Sequence, residues 1–265
     1  MTIKIAVAGK GGTGKTTLSA LLCRSLLKRR VRPLLAVDAD PNSCLPEALG
    51  VESGRTIGEM REELRAQPNS MPAGISKNEW IERLINEEIT EASGFDLIVM
   101  GRQEGPECYC FINSVLRQCL EKLGRQYQAV VIDNEAGLEH LSRRSNGSVD
   151  VLLIVCQPTM NGARTAARIQ ELIRSLHLDI GALFLVLSQV DGELDPTVQA
   201  AFDQTGLEVL ARIPLDPHIT EFERQTRSLL ELPATSPAAM AADDLLSILL
   251  KEAPAGAATG NGRIP

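Results

Sequence analysis

Residues 9–16, Gly9-Lys10-Gly11-Gly12-Thr13-Gly14-Lys15-Thr16, follow an apolar run over 3–8 and open a helical pattern. Strand, glycine loop and helix in that order is the context in which G-x-x-x-x-G-K-[ST] denotes phosphate binding rather than an ordinary turn. The glycines let successive backbone N–H groups turn inward around an anion, and the helix start adds its positive dipole end at the same point. Gly11, Gly12, Thr13, Gly14 and Thr17 are therefore candidate nucleotide-binding residues. Lys15 reaches the β- and γ-phosphates, and the Thr16 hydroxyl ligates Mg²⁺. Lys10 has no duty in an ordinary phosphate loop; a lysine there can reach outward, toward a phosphate held by a second subunit.

Two acidic clusters end further apolar runs. Leu34-Leu35-Ala36-Val37 leads into Asp38-Ala39-Asp40-Pro41-Asn42, and Ala129-Val130-Val131-Ile132 leads into Asp133-Asn134-Glu135-Ala136-Gly137. Ligands of open α/β sheets bind at the carboxyl ends of the strands, so both clusters converge on the phosphate loop. Asp133 is the natural carboxylate for Mg²⁺. Asp38 and Asp40, two apart in an extended segment, fall on one side. One can support Mg²⁺ while the other positions the attacking water; turn chemistry before Pro41 is the competing account. Gly137 either lets a backbone N–H meet the γ-phosphate or is only a turn glycine.

Apolar runs alternate with helical patterns throughout, which predicts an α/β fold: a mostly parallel central sheet with helices on both faces. Strands are expected at 3–8, 33–37, 95–100, 128–132, 150–155, 182–188 and 208–213. Helices are expected at 15–29, 56–66, 77–91, 112–124, 162–176, 196–204, 217–226 and 238–251. Residues 1–252 read as one domain, and 253–265, rich in Gly, Ala and Pro, as a disordered tail. The apolar face of 77–91 (Trp80, Ile81, Leu84, Ile85, Ile89) suits packing against the sheet better than a partner.

Composition narrows the function. A net charge of −7, no long basic run and only 3% aromatic residues disfavour nucleic-acid partners. No signal peptide and no apolar run of roughly 18 residues is visible, so the chain is expected in the cytoplasm with no membrane partner. In that reducing setting a close cysteine pair suggests metal or redox chemistry rather than a structural disulfide. Cys108 and Cys110, in Gly105-Pro106-Glu107-Cys108-Tyr109-Cys110, project to one side of an extended segment and can share an ion. Two thiolates leave a tetrahedral site open; two copies of the loop across a two-fold axis supply four. Zn²⁺, Ni²⁺, Cu⁺ or clustered iron suit such a site, while a buried pair or a redox pair are the alternatives. Cys23, Cys119 and Cys156 fall in core patterns, and Cys44 is ambiguous. His140, His177 and His218 lack metal-ligand spacing, and only His140 lies near Asp133.

The loop with its extra Lys10 resembles the deviant Walker-A P-loop NTPases of the MinD/ParA and nitrogenase-iron-protein group. Within that group, Gly101-Arg102-Gln103-Glu104-Gly105-Pro106 leading to Cys108-Tyr109-Cys110, the segment from Asp133 to Arg144, and Asp38-Ala39-Asp40-Pro41-Asn42 look like the CooC family of nickel-insertion ATPases. The resemblance runs from about residue 3 to residue 250 and implies a homodimeric, ATP- and Mg²⁺-dependent ATPase. Cys108 and Cys110 of both subunits would share one bridging Ni²⁺ or Zn²⁺. Hydrolysis would drive nickel delivery to a client such as carbon monoxide dehydrogenase or a related nickel enzyme. Lys10, Lys15 and Asp40 would be the catalytic residues, with Lys10 acting across the dimer. Where relatives carry Asn followed by Arg or Lys for the base, this chain has Ser188-Gln189; Gln189 offers an amide at a shifted position, and Pro214 belongs to the second base-side loop. Two other readings remain: an iron–sulfur electron carrier like the nitrogenase iron protein, and a positioning switch of the MinD/ParA type.

Overall fold

The computed structural model describes residues 2–66, 72, 74–102, 122–123, 125–135 and 149–252. One eight-stranded sheet organises them. Its strands are β1 (Ile3–Gly9), β2 (Leu34–Ala39), β3 (Thr90–Ala92), β4 (Phe95–Val99), β5 (Ala129–Asn134), β6 (Val149–Cys156), β7 (Ile180–Val190) and β8 (Val209–Pro214). Their spatial order is β3-β4-β2-β5-β1-β6-β7-β8. All neighbouring pairs run parallel except β3, which pairs antiparallel with β4 at the edge.

The central strands are mostly apolar because both faces are covered, with polar residues such as Lys4, Asp38, Asp133, Asn134 and Asp150 at or near their ends. Alternate side chains divide between two cores. Ile5, Val7, Leu97, Val131 and Leu153 face α1 (Lys15–Lys28), α2 (Leu45–Leu49) and the terminal helix. Ala6, Ala8, Ile98, Ile132 and Leu152 face the opposite layer. That layer holds Ile57 and Met60 of α3 (Ile57–Ala66) and Ile81, Leu84 and Ile85 of α4 (Lys77–Glu87). It also holds Ala163, Ala166, Ile169 and Ile173 of α5 (Met160–Leu176) and Phe202 of α6 (Pro196–Asp203). Thus α4 packs its apolar stripe on the sheet. Helix α7 (Pro217–Arg224) and the terminal α8 (Pro237–Glu252) return to the first layer.

Several expected boundaries move. The helix expected over 77–91 stops at Glu87, and Thr90–Ala92 instead form the antiparallel edge strand. The reason is the turn at Ser93-Gly94: Gly94 sits at φ 98°, open to glycine, and folds β3 back on β4. Strand β5 runs two residues further than expected and carries Asp133 and Asn134 within it. Helix α2, unforeseen, starts with Pro46 in its first turn and ends at Gly50 in the left-handed region. The short 3₁₀ turn Leu229–Glu231 was also unforeseen. The expected helix over 112–124, apart from 122–123, and the tail over 253–265 lie outside the described residues. Among the described residues, no helix is long and apolar enough to cross a membrane.

The strand order positions the site. Strands β2 and β5 end on one side of the β1 loop, and β7 and β8 end on the other, so acidic groups collect on one flank and a cleft on the other. Helix α8 clamps α1 from outside. Asp243 accepts from the Ser25 hydroxyl and the Lys28 ammonium, each at 2.6 Å, and Arg29 donates to the Asp243 carbonyl at 2.9 Å and to Ser247. Beneath these contacts Leu245, Leu246 and Leu249 are buried.

Burial rather than surface charge should hold this clamp. Leu246→Ala is expected to lower unfolding stability by about 2–5 kcal/mol. Lys28→Ala, which breaks an exposed ion pair, should cost less than about 1 kcal/mol. Urea unfolding of both variants tests the ranking, and equal losses would contradict it.

Candidate functional site

Gly9 ends β1 against β6 so closely that a Cβ on it would lie 2.4 Å from the Val155 carbonyl oxygen. The loop then turns through Gly12 and Gly14 at φ 77° and 83°, in the left-handed region where glycine is favoured. Within the turn, the Thr13 N–H and hydroxyl both donate to the Lys10 carbonyl, at 3.3 and 2.8 Å. Gly14 is the N-cap of α1 and supplies no side-chain cap, and no acidic residue stands in the first turn. The N–H groups that begin α1 therefore lack side-chain acceptors, the condition that makes a helix start an anion site. Lys15 is buried there, while Lys10 is exposed on the outer side.

On the acidic flank, Asp133 is fully buried and accepts from the Thr16 hydroxyl at 2.6 Å and the Ser19 hydroxyl at 3.3 Å. Burial pushes its carboxyl up to about 6, against the opposing effects of the Thr16 hydrogen bond and the Lys15 charge. Asp38 sits opposite Asp133 in the register of β2 and β5 and is also fully buried. Burial, with a further contribution from the Asp133 charge, raises it to about 7. Its oxygens accept from the Asp40 N–H at 3.0 Å and the Leu45 N–H at 2.8 Å, tying the acidic loop to the start of α2. Among the described residues, two adjacent buried carboxylates stand beside one buried lysine.

Asp40 does not share the Asp38 environment. The extended segment ends at Ala39, so the two-residue spacing does not hold the pair on one face. Asp40 is half-exposed and accepts from the Asn42 N–H and side-chain amide, both at 2.9 Å. The turn chemistry suggested by Pro41 is present, and it leaves Asp40 at the solvent edge, beside the loop.

On the other flank, Gly14, Thr17, Gln189, Pro214, Leu215 and Thr220 line a cleft between α1 and α7. Asp216 fixes its far wall. Its carboxylate accepts from the His218 N–H at 2.9 Å, the Ser236 hydroxyl at 2.5 Å and the Ala238 N–H at 3.1 Å, joining the starts of α7 and α8. Burial works to raise the Asp216 pKa, but these three hydrogen bonds outweigh it and hold the carboxyl below its usual range.

The structure thus brings Lys15, Thr16, Asp38 and Asp133 together, with Asp40 at the half-exposed rim, near enough for its charge to act on both carboxylates, Lys10 exposed, and Gln189 and Pro214 on the cleft side. The Thr16 hydroxyl and Asp133 form a hard, oxygen-only donor set, which fits Mg²⁺ and not a soft metal. Cys23 and Cys156 are buried, and burial pushes both thiols up to about 12. Cys44 is exposed. Cys108, Cys110, Cys119, Gly137 and His140 lie outside the described residues. Among the described residues no group of three or more His, Cys, Asp or Glu is placed to hold a metal ion. Ser19 escaped the sequence reading; its signal was its place three residues after Thr16, on the same helix face.

The CobQ/CobB/MinD/ParA nucleotide-binding domain model matches residues 4–229. An uncharacterised ATP-binding protein of Methanocaldococcus jannaschii is 40% identical over 231 residues, covering 86% of this chain and 91% of that protein. The carbon monoxide dehydrogenase accessory protein CooC of Rhodospirillum rubrum is 32% identical over 235 residues, covering 77% and 88%. The solved structure of the septum site-determining protein MinD with Mg-ADP from Pyrococcus horikoshii shares the fold, with a TM-score of 0.65, 22% identity and coverage of 94% and 96%.

The wall of the cleft gives a pH-dependent prediction. Because the folded Asp216 pKa lies below the unfolded value of about 3.9, its ionic contribution is fully present above about pH 4 and is lost as pH falls through the folded value. Asp216→Asn, which keeps the shape and removes the charge, should cost about 1 kcal/mol at pH 7. The gap from wild type should shrink at pH 3. Urea unfolding at both pH values checks this; a gap that stays constant would show that the charge is not its source.

Proposed function

The chain belongs to the CobQ/CobB/MinD/ParA nucleotide-binding family and is an ATPase of that family, and from that footing we propose that it is a dimeric metallochaperone that couples ATP hydrolysis to nickel insertion. The observation that carries the proposal is the Cys108-Tyr109-Cys110 segment in a chain that aligns along most of its length with a carbon monoxide dehydrogenase accessory protein. The client would be carbon monoxide dehydrogenase or a related nickel enzyme.

In this reading the N–H groups from Gly11 to Thr17 cradle the phosphates and Lys15 neutralises the β- and γ-oxygens. Thr16 and Asp133, supported by Asp38, would hold Mg²⁺, which would supply positive charge to offset that of the phosphates. The base enters the cleft beside Pro214 and Gln189. Asp40, at the solvent edge of the loop, would orient the attacking water, and exposed Lys10 would reach the nucleotide of a second subunit. Ni²⁺, as cargo, would be held by Cys108 and Cys110 of both subunits, since two thiolates leave a tetrahedral site half filled.

A second reading, a positioning switch, draws support from the fold shared with MinD. The net charge of −7 weighs against anionic membranes or nucleic acid as its binding surface.

Lys15→Ala is expected to abolish ATP hydrolysis, and Asp40→Ala to lower turnover by at least about 100-fold while nucleotide still binds. Metal analysis of the anaerobically purified dimer should give about one Ni²⁺ or Zn²⁺ per two chains. The Cys108→Ala/Cys110→Ala variant should lose that metal and keep ATP hydrolysis. Unchanged metal content in the double variant would defeat the chaperone assignment and leave the ATPase standing. Sedimentation with anionic vesicles or DNA in the presence of a slowly hydrolysed ATP analogue would favour the switch.

A further inference from the structure

The end of β7 touches the phosphate loop directly. The buried Ser188 hydroxyl donates to the Thr13 carbonyl at 2.6 Å and lies 3.4 Å from the Cys156 carbonyl. A hydroxyl has one proton to give, so the short contact to Thr13 is the bond that it makes. Beside it, the Gln189 amide nitrogen lies 3.4 Å from the Gly12 carbonyl, while its oxygen accepts from the Gln157 amide at 2.8 Å. Two successive residues of β7 thus face two successive carbonyls of the loop.

The backbone is shaped for this. The register of β7 on β8 shifts between Leu187 and Val190, and Gln189 sits at φ 54°, a left-handed conformation that a non-glycine residue adopts at a cost. The irregularity turns both Ser188 and Gln189 toward the loop, where a regular strand would send them to opposite faces.

A trans peptide is planar, with its C=O and N–H pointing in opposite directions. Fixing the Thr13 carbonyl toward β7 therefore fixes the Gly14 N–H away from β7. Glycine 14 at φ 83° has little stiffness of its own to hold that plane, and its Cβ position would lie 3.9 Å from the Ser188 Cβ, in ordinary contact.

We infer that Ser188 is a positioning residue for phosphate binding: its hydroxyl pins the Thr13–Gly14 peptide so that the Gly14 N–H is pre-aimed at the anion, with Gln189, held by Gln157, as a weaker second brace on Gly12. The inference rests on the nucleotide reading above and assigns the Ser188-Gln189 pair to the phosphates through the loop, rather than to recognition of the base.

The test separates the two roles by using a ligand with no base. Isothermal titration of wild-type protein and of Ser188→Ala with Mg·ATP and with Mg·tripolyphosphate should show affinity falling about tenfold for both ligands, by the same factor. Ser188→Thr, which keeps a hydroxyl, should restore both. Ser188→Cys keeps the side-chain size with a much weaker donor and should behave as Ser188→Ala, which covers the case in which alanine unsettles the fold. A loss confined to ATP would overturn the inference and make Ser188 a reader of the nucleoside. Unchanged affinity for both ligands in folded Ser188→Ala and Ser188→Cys would also overturn it. Wild-type protein that binds neither ligand, or Lys15→Ala that binds both as wild type does, would instead defeat the nucleotide reading, and the brace with it.

Discussion

Helix α1 is held firmly along its body and left open at its first turn, and the rest of the structure depends on that contrast. Leu18, Leu21, Leu22 and Leu26 bury it against β1, β5 and the terminal helix. Asp243 and Ser247 grip its outer end. Its N-terminus carries no side-chain cap. Capping is worth about 1 kcal/mol to a helix, so an uncapped start persists only where packing over-determines the helix. On the proposed function those uncapped N–H groups are the phosphate-binding surface, and the buried leucines allow the fold to leave them uncapped.

The charges around that surface follow the same logic. Two carboxylates sit side by side in a low-dielectric region, and both titrate well above the usual carboxylate range because burial disfavours their ions. Among the described residues the buried lysine beside the pair is Lys15, and one lysine does not balance two carboxylates. Asp38 offsets part of its cost by accepting two backbone N–H groups, which makes it a support for the acidic loop. Asp40 braces only the local turn through Asn42 and remains at the solvent edge, where a water can reach it.

Much of this was legible before folding. The glycine motif, the alternating apolar runs and the aspartates at strand ends gave the α/β class and the acidic flank of the site, while the cleft flank was read only through the family resemblance. Local chemistry also announced the Asp40 turn through Pro41. Three features were not legible. The edge strand Thr90–Ala92 hid in a helical pattern, because a three-residue strand has no period to read and exists only through its pairing with β4. The separation of Asp38 from Asp40 depends on where β2 ends, which is set by its pairing with β5. The role of Ser188 lay in a departure from the relatives' pattern whose meaning needed a partner 175 residues away.

The sequence by itself determined what is local or periodic: a phosphate loop between strand and helix, and a two-faced, mostly parallel sheet. Those follow from backbone stereochemistry and from the burial pattern along single elements. Only the tertiary structure decided which carboxylate is buried and which is exposed, and which strand braces the loop. Those depend on the strand order β2-β5-β1-β6-β7-β8, and on contacts between residues more than a hundred positions apart, that no single stretch of chain encodes.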